Sequence, residues 1–234
     1  MKNPSIKTLI SVLTVVFLIV PSFVFGVTLT RAPQTPPQIL LTWSASNFYP
    51  STYHGRALPT PGTPVTISVA LLQNGTFTDL SNVPITWYKN EEKLDSGTGL
   101  TQTTFQPGTG EVGNNFIRAE LTLGDSTIDQ SVLVPVTNPT VAIEIPYPYG
   151  SVDANSDITL RATPFFFNIS SLQDLIFYWQ VGDVKKDMGS NNSISVKVGN
   201  PFSGDQKKIP VSSYIQDKKD MTNIIKTDSY LYIK

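Results

Sequence analysis

A single histidine, His54, stands in a chain of 234 residues that contains no cysteine. A Ser-His-Asp relay, a histidine-rich metal site or a histidine proton shuttle would each have to run through it. Its surroundings, Tyr49-Pro-Ser-Thr-Tyr53-His54-Gly-Arg56, form a turn-rich loop with no acid close by in sequence, so no catalytic role is expected of it. Glu91 and Glu92 are adjacent carboxylates at an expected hairpin tip, whereas glycoside hydrolysis needs two carboxyl groups facing each other across a cleft. Asp153-Ala-Asn155-Ser-Asp157 spaces three oxygen side chains as a calcium loop begins, but the glycine at its sixth position and the later bidentate glutamate are missing. An Asx-rich turn before a strand accounts for that segment as well. Leu58-Pro-Thr-Pro-Gly62 approaches a sortase-type sorting signal, with proline where threonine is needed and no apolar tail behind it. The expectation is no catalytic residue, no metal ligand and no cofactor.

Two aromatic loops remain as candidate contact surfaces. One carries Tyr49, Tyr53, His54 and Arg56, and tyrosine and arginine are favoured at interface hot spots. The other is Pro146-Tyr147-Pro-Tyr149-Gly, whose two rings could stack on sugar. Each has a plainer role to compete with. The first loop packs at a domain junction if it lies at the end of its domain that faces the next one, and the second is a kink resting on its own domain. Phe165-Phe-Phe167 is expected to face core on one side and junction or loop packing on the other.

Composition narrows the setting. Lys2 and Lys7 precede the apolar run Leu9 to Val20, and Val24 and Gly26 supply small residues at a cleavage position, the layout of a secretory signal peptide over 1–26. An uncleaved anchor is the alternative, since Leu9 to Val27 is long enough to cross a thin bilayer with tilt. Either way the remainder is expected to be exported, reaching a membrane only through this N-terminal segment. Without cysteine no disulfide can staple it, which favours a bacterial exported protein over a eukaryotic ectodomain, although Asn74, Asn168 and Asn191 each begin a glycosylation sequon. With 17 basic against 18 acidic residues and no basic stripe, a nucleic-acid partner is not expected.

The elements that must carry these loops are strands. A Pro-rich tether over 27–38 leads into short runs that recur about every ten residues between turn clusters, the pattern of a sandwich or barrel. Val65-Thr-Ile67-Ser-Val69-Ala-Leu71, Val83-Pro-Ile85-Thr-Trp87 and Ile117-Arg-Ala119-Glu-Leu121 alternate apolar and polar, as strands with one wet face do. Pro135 places Ile128 to Val136 at a sheet edge. The order then restarts. Ile158-Thr-Leu160-Arg-Ala162 matches Val65 to Val69, and Leu175-Ile-Phe177-Tyr-Trp179 matches Val83 to Trp87, with Trp87 and Trp179 separated by 92 residues. A period of this length is one sandwich domain and is too long for a solenoid repeat. Two domains are expected, 39–138 and 139–234, each with its tryptophan (Trp87, Trp179) buried on a central strand. Gly97 and Gly189 are expected at positive-φ bends beyond the hairpin that follows each tryptophan strand.

Trp-Tyr-Lys-Asn-Glu-Glu-Lys-Leu, residues 87 to 94, resembles the third strand and following hairpin of immunoglobulin-like domains, with Trp87 and then Trp179 in the core position. Phe177-Tyr-Trp179 is similar to the aromatic-x-Trp of polycystic-kidney-disease-type modules of bacterial surface proteins. The antibody-type disulfide is absent, and Val69, Ala119 and Ala162 occupy its neighbourhoods, as in disulfide-free bacterial versions. The fold class implied is all-β, two tandem immunoglobulin-like β-sandwiches behind a signal peptide or anchor. The role implied is a non-enzymatic envelope or cell-surface protein that works as a structural or adhesive module. Another envelope or surface protein is its expected partner. A carbohydrate-binding accessory module using exposed tyrosines is the alternative.

Overall fold

The computed structural model describes residues 36–147, 151–199, 208–221 and 224–233. The signal segment, most of the tether and Tyr149 lie outside the described residues. Sixteen strands follow one another with no α-helix among the described residues, and one turn of 3-10 helix, Leu172–Asp174, interrupts them.

The first sandwich comprises β1 (Gln38–Ala45), β2 (Val65–Gln73), β3 (Thr76–Phe77), β4 (Pro84–Lys89), β5 (Glu92–Thr98), β6 (Gln102–Phe105), β7 (Gly113–Leu123) and β8 (Ser126–Val136). The second comprises β9 (Thr140–Glu144), β10 (Ser151–Val152), β11 (Asp157–Phe165), β12 (Leu175–Val181), β13 (Val184–Asp187), β14 (Ser193–Lys197), β15 (Lys208–Asp217) and β16 (Ile224–Ile233). In the first, β2 pairs with β1 and β6 in one sheet, and the other runs β5-β4-β7-β8. The second repeats this strand for strand, with β9-β11-β14 facing β13-β12-β15-β16. Two short strands are not shared: β3 extends β2, and β10 adds to β16 in parallel. The sequence repeat is therefore a repeat of sheet topology, and the fold is two tandem immunoglobulin-like β-sandwiches.

Period-two patterning builds each core. Val65, Ile67, Val69 and Leu71 of β2 and Ile117, Ala119 and Leu121 of β7 are all buried, while the residues between them are partly or fully exposed. They close around Trp87, which is fully buried on a strand between β5 and β7. Trp179 holds the same place between β13 and β15, packed with Leu160, Phe177, Val211 and Ile215. Val69 and Ala119 are buried in one core and Ala162 in the other.

The turns differ from expectation at one point. Gly97 lies inside β5, paired with Ile85, and has no positive φ. The hairpin after Trp87 turns on Asn90 and Glu91, with φ of 48° and 69°, both in the left-handed region a tight two-residue hairpin needs. Asn90 tolerates this because its side chain is tied down. Its Oδ1 accepts from the Phe116 N–H at 2.9 Å, and its Nδ2 donates to Asn115 Oδ1 at 3.1 Å. The glycine that the first unit requires is Gly99, at φ 71°, where a Cβ would stand 2.6 Å from the Ser81 carbonyl oxygen. Gly189, at φ 55°, bends as expected.

Candidate functional site

The loop between β1 and β2 reaches the second sandwich. Phe48 forms a β-bridge with Phe167: its N–H donates to the Phe167 carbonyl at 2.8 Å, and its own carbonyl accepts from Phe166 N–H at 2.7 Å. Asn47, only 3% exposed, donates from Nδ2 to the Phe166 carbonyl at 2.6 Å and to Thr60 Oγ1 at 2.9 Å. Thr60 and Thr63 hydroxyls meet at 3.0 Å beneath it. From the other side, Asn168 Nδ2 donates to the Gly62 carbonyl at 3.3 Å. Phe48 packs against the second core, and the linker is held back to the loop where Thr137 N–H donates to the Pro59 carbonyl at 2.9 Å.

Rings close the outside of this joint. Tyr53 meets Phe165 and Phe166 edge-on, with centroids 5.8 and 5.5 Å apart, and Tyr49 meets Tyr53 at 5.8 Å and 65°. Phe166 sits at φ 62°, a conformation costly for an aromatic residue and kept only where its surroundings impose it. Here both of its peptide groups are hydrogen-bonded to the neighbouring sandwich through Phe48 and Asn47.

The residues singled out in the sequence thus have definite places. Tyr53 is built into the joint, and Tyr49, 43% exposed, shares no plane with it, so these two rings do not make a flat platform. Arg56 lays its guanidinium 4.5 Å from the ring centroid of Trp43, a buried β1 residue that the sequence reading passed over. His54 is exposed on the same loop. Tyr147 is exposed too, and Tyr149 lies outside the described residues. Asp153 and Asn155 form a turn, with Ser156 Oγ donating to the Asp153 carbonyl at 2.6 Å and Asn155 at φ 61°. Among the described residues no group of three or more His, Cys, Asp and Glu side chains is placed to hold a metal ion.

A second surface carries residues that the sequence reading had not singled out. Tyr178 of β12, Tyr214 of β15 and Tyr230 and Tyr232 of β16 all project from the outer face of the β10-β16-β15-β12-β13 sheet of the second sandwich. Register fixes the layout: Tyr178 is beside Tyr214, Tyr214 beside Lys226, Pro210 beside Tyr230, and Lys208 beside Tyr232. Lys208 Nζ lies 3.6 Å from the Tyr230 ring centroid and 5.8 Å from that of Tyr232. Asp228 accepts from Ser212 Oγ at 2.5 Å and pairs with Lys226 at 2.9 Å, which holds its carboxyl below the usual aspartate range, the Ser212 bond contributing most. A shallow depression beside these rings is lined by Tyr178, Gln180, Lys185, Asp187 and Tyr214. The signal was present in Tyr230-Leu231-Tyr232-Ile233, where strict alternation buries Leu231 and Ile233 and so turns both tyrosines outward.

No protein-family model matches the chain, and no curated protein matches it by sequence. Solved structures with similar folds include the three N-terminal domains of the bacteriophage RB49 Highly Immunogenic Outer Capsid protein, at TM-score 0.43 and 13% identity, covering 83% of this chain. This chain spans 59% of that one. The fibronectin(III)-like modules of Clostridium thermocellum CbhA match at TM-score 0.30 and 16% identity, over 83% of this chain and 93% of theirs. A tandem pair of titin Ig domains matches at TM-score 0.27 and 11% identity, over 86% and 98%. None reaches a TM-score of 0.5, and the fold assignment stands on strand order and register.

Proposed function

We propose that this protein is a non-enzymatic, exported module of a bacterial envelope or cell surface, acting through contacts with another protein while its two sandwiches hold a set relation. The observation that carries this reading is the joint. The one loop that gathers histidine, arginine and tyrosines spends its backbone, its buried Asn47 and most of its aromatic surface on fastening one sandwich to the other. Such an arrangement suits a spacer or adhesive element, whose task is to present surfaces at a defined separation.

The test is chemical crosslinking of full-length, C-terminally tagged protein in its native envelope, read by mass spectrometry beside subcellular fractionation. One stoichiometric envelope protein crosslinked to it supports the proposal. Recovery in the cytosolic fraction would end the export reading. Retention on wall or surface polymer with no enriched protein would replace the protein-contact reading with a glycan one.

A further inference from the structure

We infer that the outer face of β12, β15 and β16 is a binding platform for acidic polysaccharide, with Tyr230, Tyr232 and Lys208 at its centre. This goes beyond the protein-contact reading and stands whether or not a protein partner is found.

The fold does not require these tyrosines. Trp87 pairs with Ala119 and Trp179 with Ser213, so the two sheets can be superposed pair by pair. The positions equivalent to Tyr178, Tyr214, Tyr230 and Tyr232 are then Thr86, Glu120, Leu133 and Pro135 of the first sandwich. The same architecture is complete there without a tyrosine at any of the four. Stability supplies no reason for leaving Tyr230 and Tyr232 each 44% exposed.

The chemistry of the face selects the ligand. A protein-binding core is apolar at its centre and depleted of charge. Here polar and charged groups interleave with the rings: Gln180, Ser212 and Asp228 share one row of the sheet, Tyr178 sits beside Asp187, Tyr214 beside Lys226 and Tyr232 beside Lys208, whose ammonium also reaches Tyr230. Alternating rings and hydrogen-bonding groups suit a polymer whose units each offer an apolar C–H face and a hydroxyl edge. Tyr230 and Tyr232 are two residues apart on one strand, which spaces them roughly 7 Å along it, within the span of a short run of sugar units.

Charge then selects among glycans. Asp228 is paired with Lys226 and bonded by Ser212, while Asp187, beside Tyr178, keeps its charge and accepts from the Gly189 N–H at 2.8 Å. Lys208 and Lys185 make no ion pair among the described residues, and both are exposed. Lys208 rests its ammonium on the tyrosine rings, a cation–π arrangement that holds a positive charge at the aromatic surface. Among the described residues of this face, Lys185, Lys208 and Lys226 stand against Asp187 and Asp228, and the excess positive charge beside the rings complements a sugar that carries carboxylate or another anionic group.

The experiment is affinity electrophoresis of the full chain in native gels containing polygalacturonate, hyaluronate or, as the neutral control, hydroxyethylcellulose. Retardation by at least one acidic polymer and not by the neutral one is expected, weakening as salt is raised. The double variant Tyr230→Ala/Tyr232→Ala should weaken the retardation about tenfold or more, the equivalent of roughly one lost ring contact per residue. Lys208→Met, which keeps the stem and removes the charge, should weaken it several-fold at low salt and little at high salt. Leu133→Ser, on the equivalent face of the first sandwich, should leave it unchanged. Should the double variant fail to fold, Tyr232→Ser and Lys208→Met carry the comparison singly, each checked by an unaltered melting temperature. The inference is overturned by no retardation in either acidic polymer, by equal retardation in the neutral one, or by folded tyrosine variants that bind as wild type does.

Discussion

At the scale of single residues, the two sandwiches share a buried tryptophan but not its hydrogen bond. Trp87 donates from Nε1 to the Leu100 carbonyl at 2.9 Å, whereas Trp179 Nε1 is buried with no partner among the described residues. Truncating either to alanine should cost about 3–5 kcal/mol through lost burial and the cavity left behind. Replacement by phenylalanine separates them. Trp87→Phe strands a carbonyl and should cost about 1–3 kcal/mol beyond the packing loss, while Trp179→Phe removes an unsatisfied donor and should cost less. Urea unfolding of the two variants measures the difference, and equal costs would show that the Leu100 bond contributes nothing. Glu111 makes a prediction about acid. Lys89 Nζ reaches both of its carboxylate oxygens, at 2.7 and 2.6 Å, and Gly108 N–H donates to it at 2.7 Å. Those bonds, the Lys89 one foremost, hold its pKa below the ordinary 4.5 against a small desolvation in the other direction. A depressed folded pKa means stabilisation that is present above about 4.5 and lost as pH falls through the lower folded value. Glu111→Gln should therefore destabilise at pH 7, by about 1 kcal/mol or less for a pair that solvent still partly reaches. The gap between the melting curves of wild type and variant should shrink as pH falls below 4.5.

At the scale of elements, the Asn90-Glu91 turn shows why some of this fold could be read in advance and some could not. Strand parity is a local property, so the alternation in β2, β4 and β7 announced which residues would be buried, and Trp87 and Trp179 marked the central strands. Turn geometry depends on which side chain anchors the bend. Gly97 looked like the bend residue because glycine permits positive φ, yet the chain bends earlier, where Asn90 is clasped by Phe116 N–H and Asn115. Those partners are 25 and 26 residues away and have no local signature. The tyrosine face was hidden for a related reason. Its four rings come from three strands, and only the register of β12, β15 and β16 brings them together. The loop of Tyr49, Tyr53 and Arg56 was conspicuous because its residues adjoin in sequence, and its use at a junction was legible from its place after the first strand. Asn90→Ala should cost about 1.5–3 kcal/mol, combining a left-handed alanine with two lost bonds. Gly99→Ala should cost at least as much as the left-handed conformation alone, about 1–2 kcal/mol, because the Ser81 carbonyl must also move. Chemical denaturation ranks both against wild type, and a neutral Gly99→Ala would mean the turn relaxes freely.

At the scale of the whole molecule, the question is whether two domains joined through Thr137-Asn138-Pro139 move as one. A short linker containing proline restricts rotation but does not abolish it. What adds to it here is a backbone bridge at Phe48 and Phe167, with the buried Asn47 amide bonding across it. The bridge has a conformational cost, since Phe166 must hold φ 62° to turn its carbonyl toward Asn47. That cost is offset only while the cross-domain bonds persist, so the joint should be cooperative: intact as a unit or released as a unit. Asn47→Ala removes the donor that the Phe166 carbonyl accepts from and uncovers the Thr60 hydroxyl. A buried acceptor left without its partner costs about 1–3 kcal/mol, enough to let Phe166 relax to negative φ and open the bridge. Backbone nitrogen-15 relaxation reads the outcome directly. In wild type both sandwiches should report one rotational correlation time, and amides of Phe48 and Phe166 should be protected from exchange. In Asn47→Ala the two sandwiches should tumble at distinct, faster rates, with exchange at Phe48 and Phe166 rising together while the two cores stay protected. Two separate correlation times already present in wild type would show that the bridge does not bind the domains, and the presentation of the tyrosine face at a set separation from the first sandwich would fall with it.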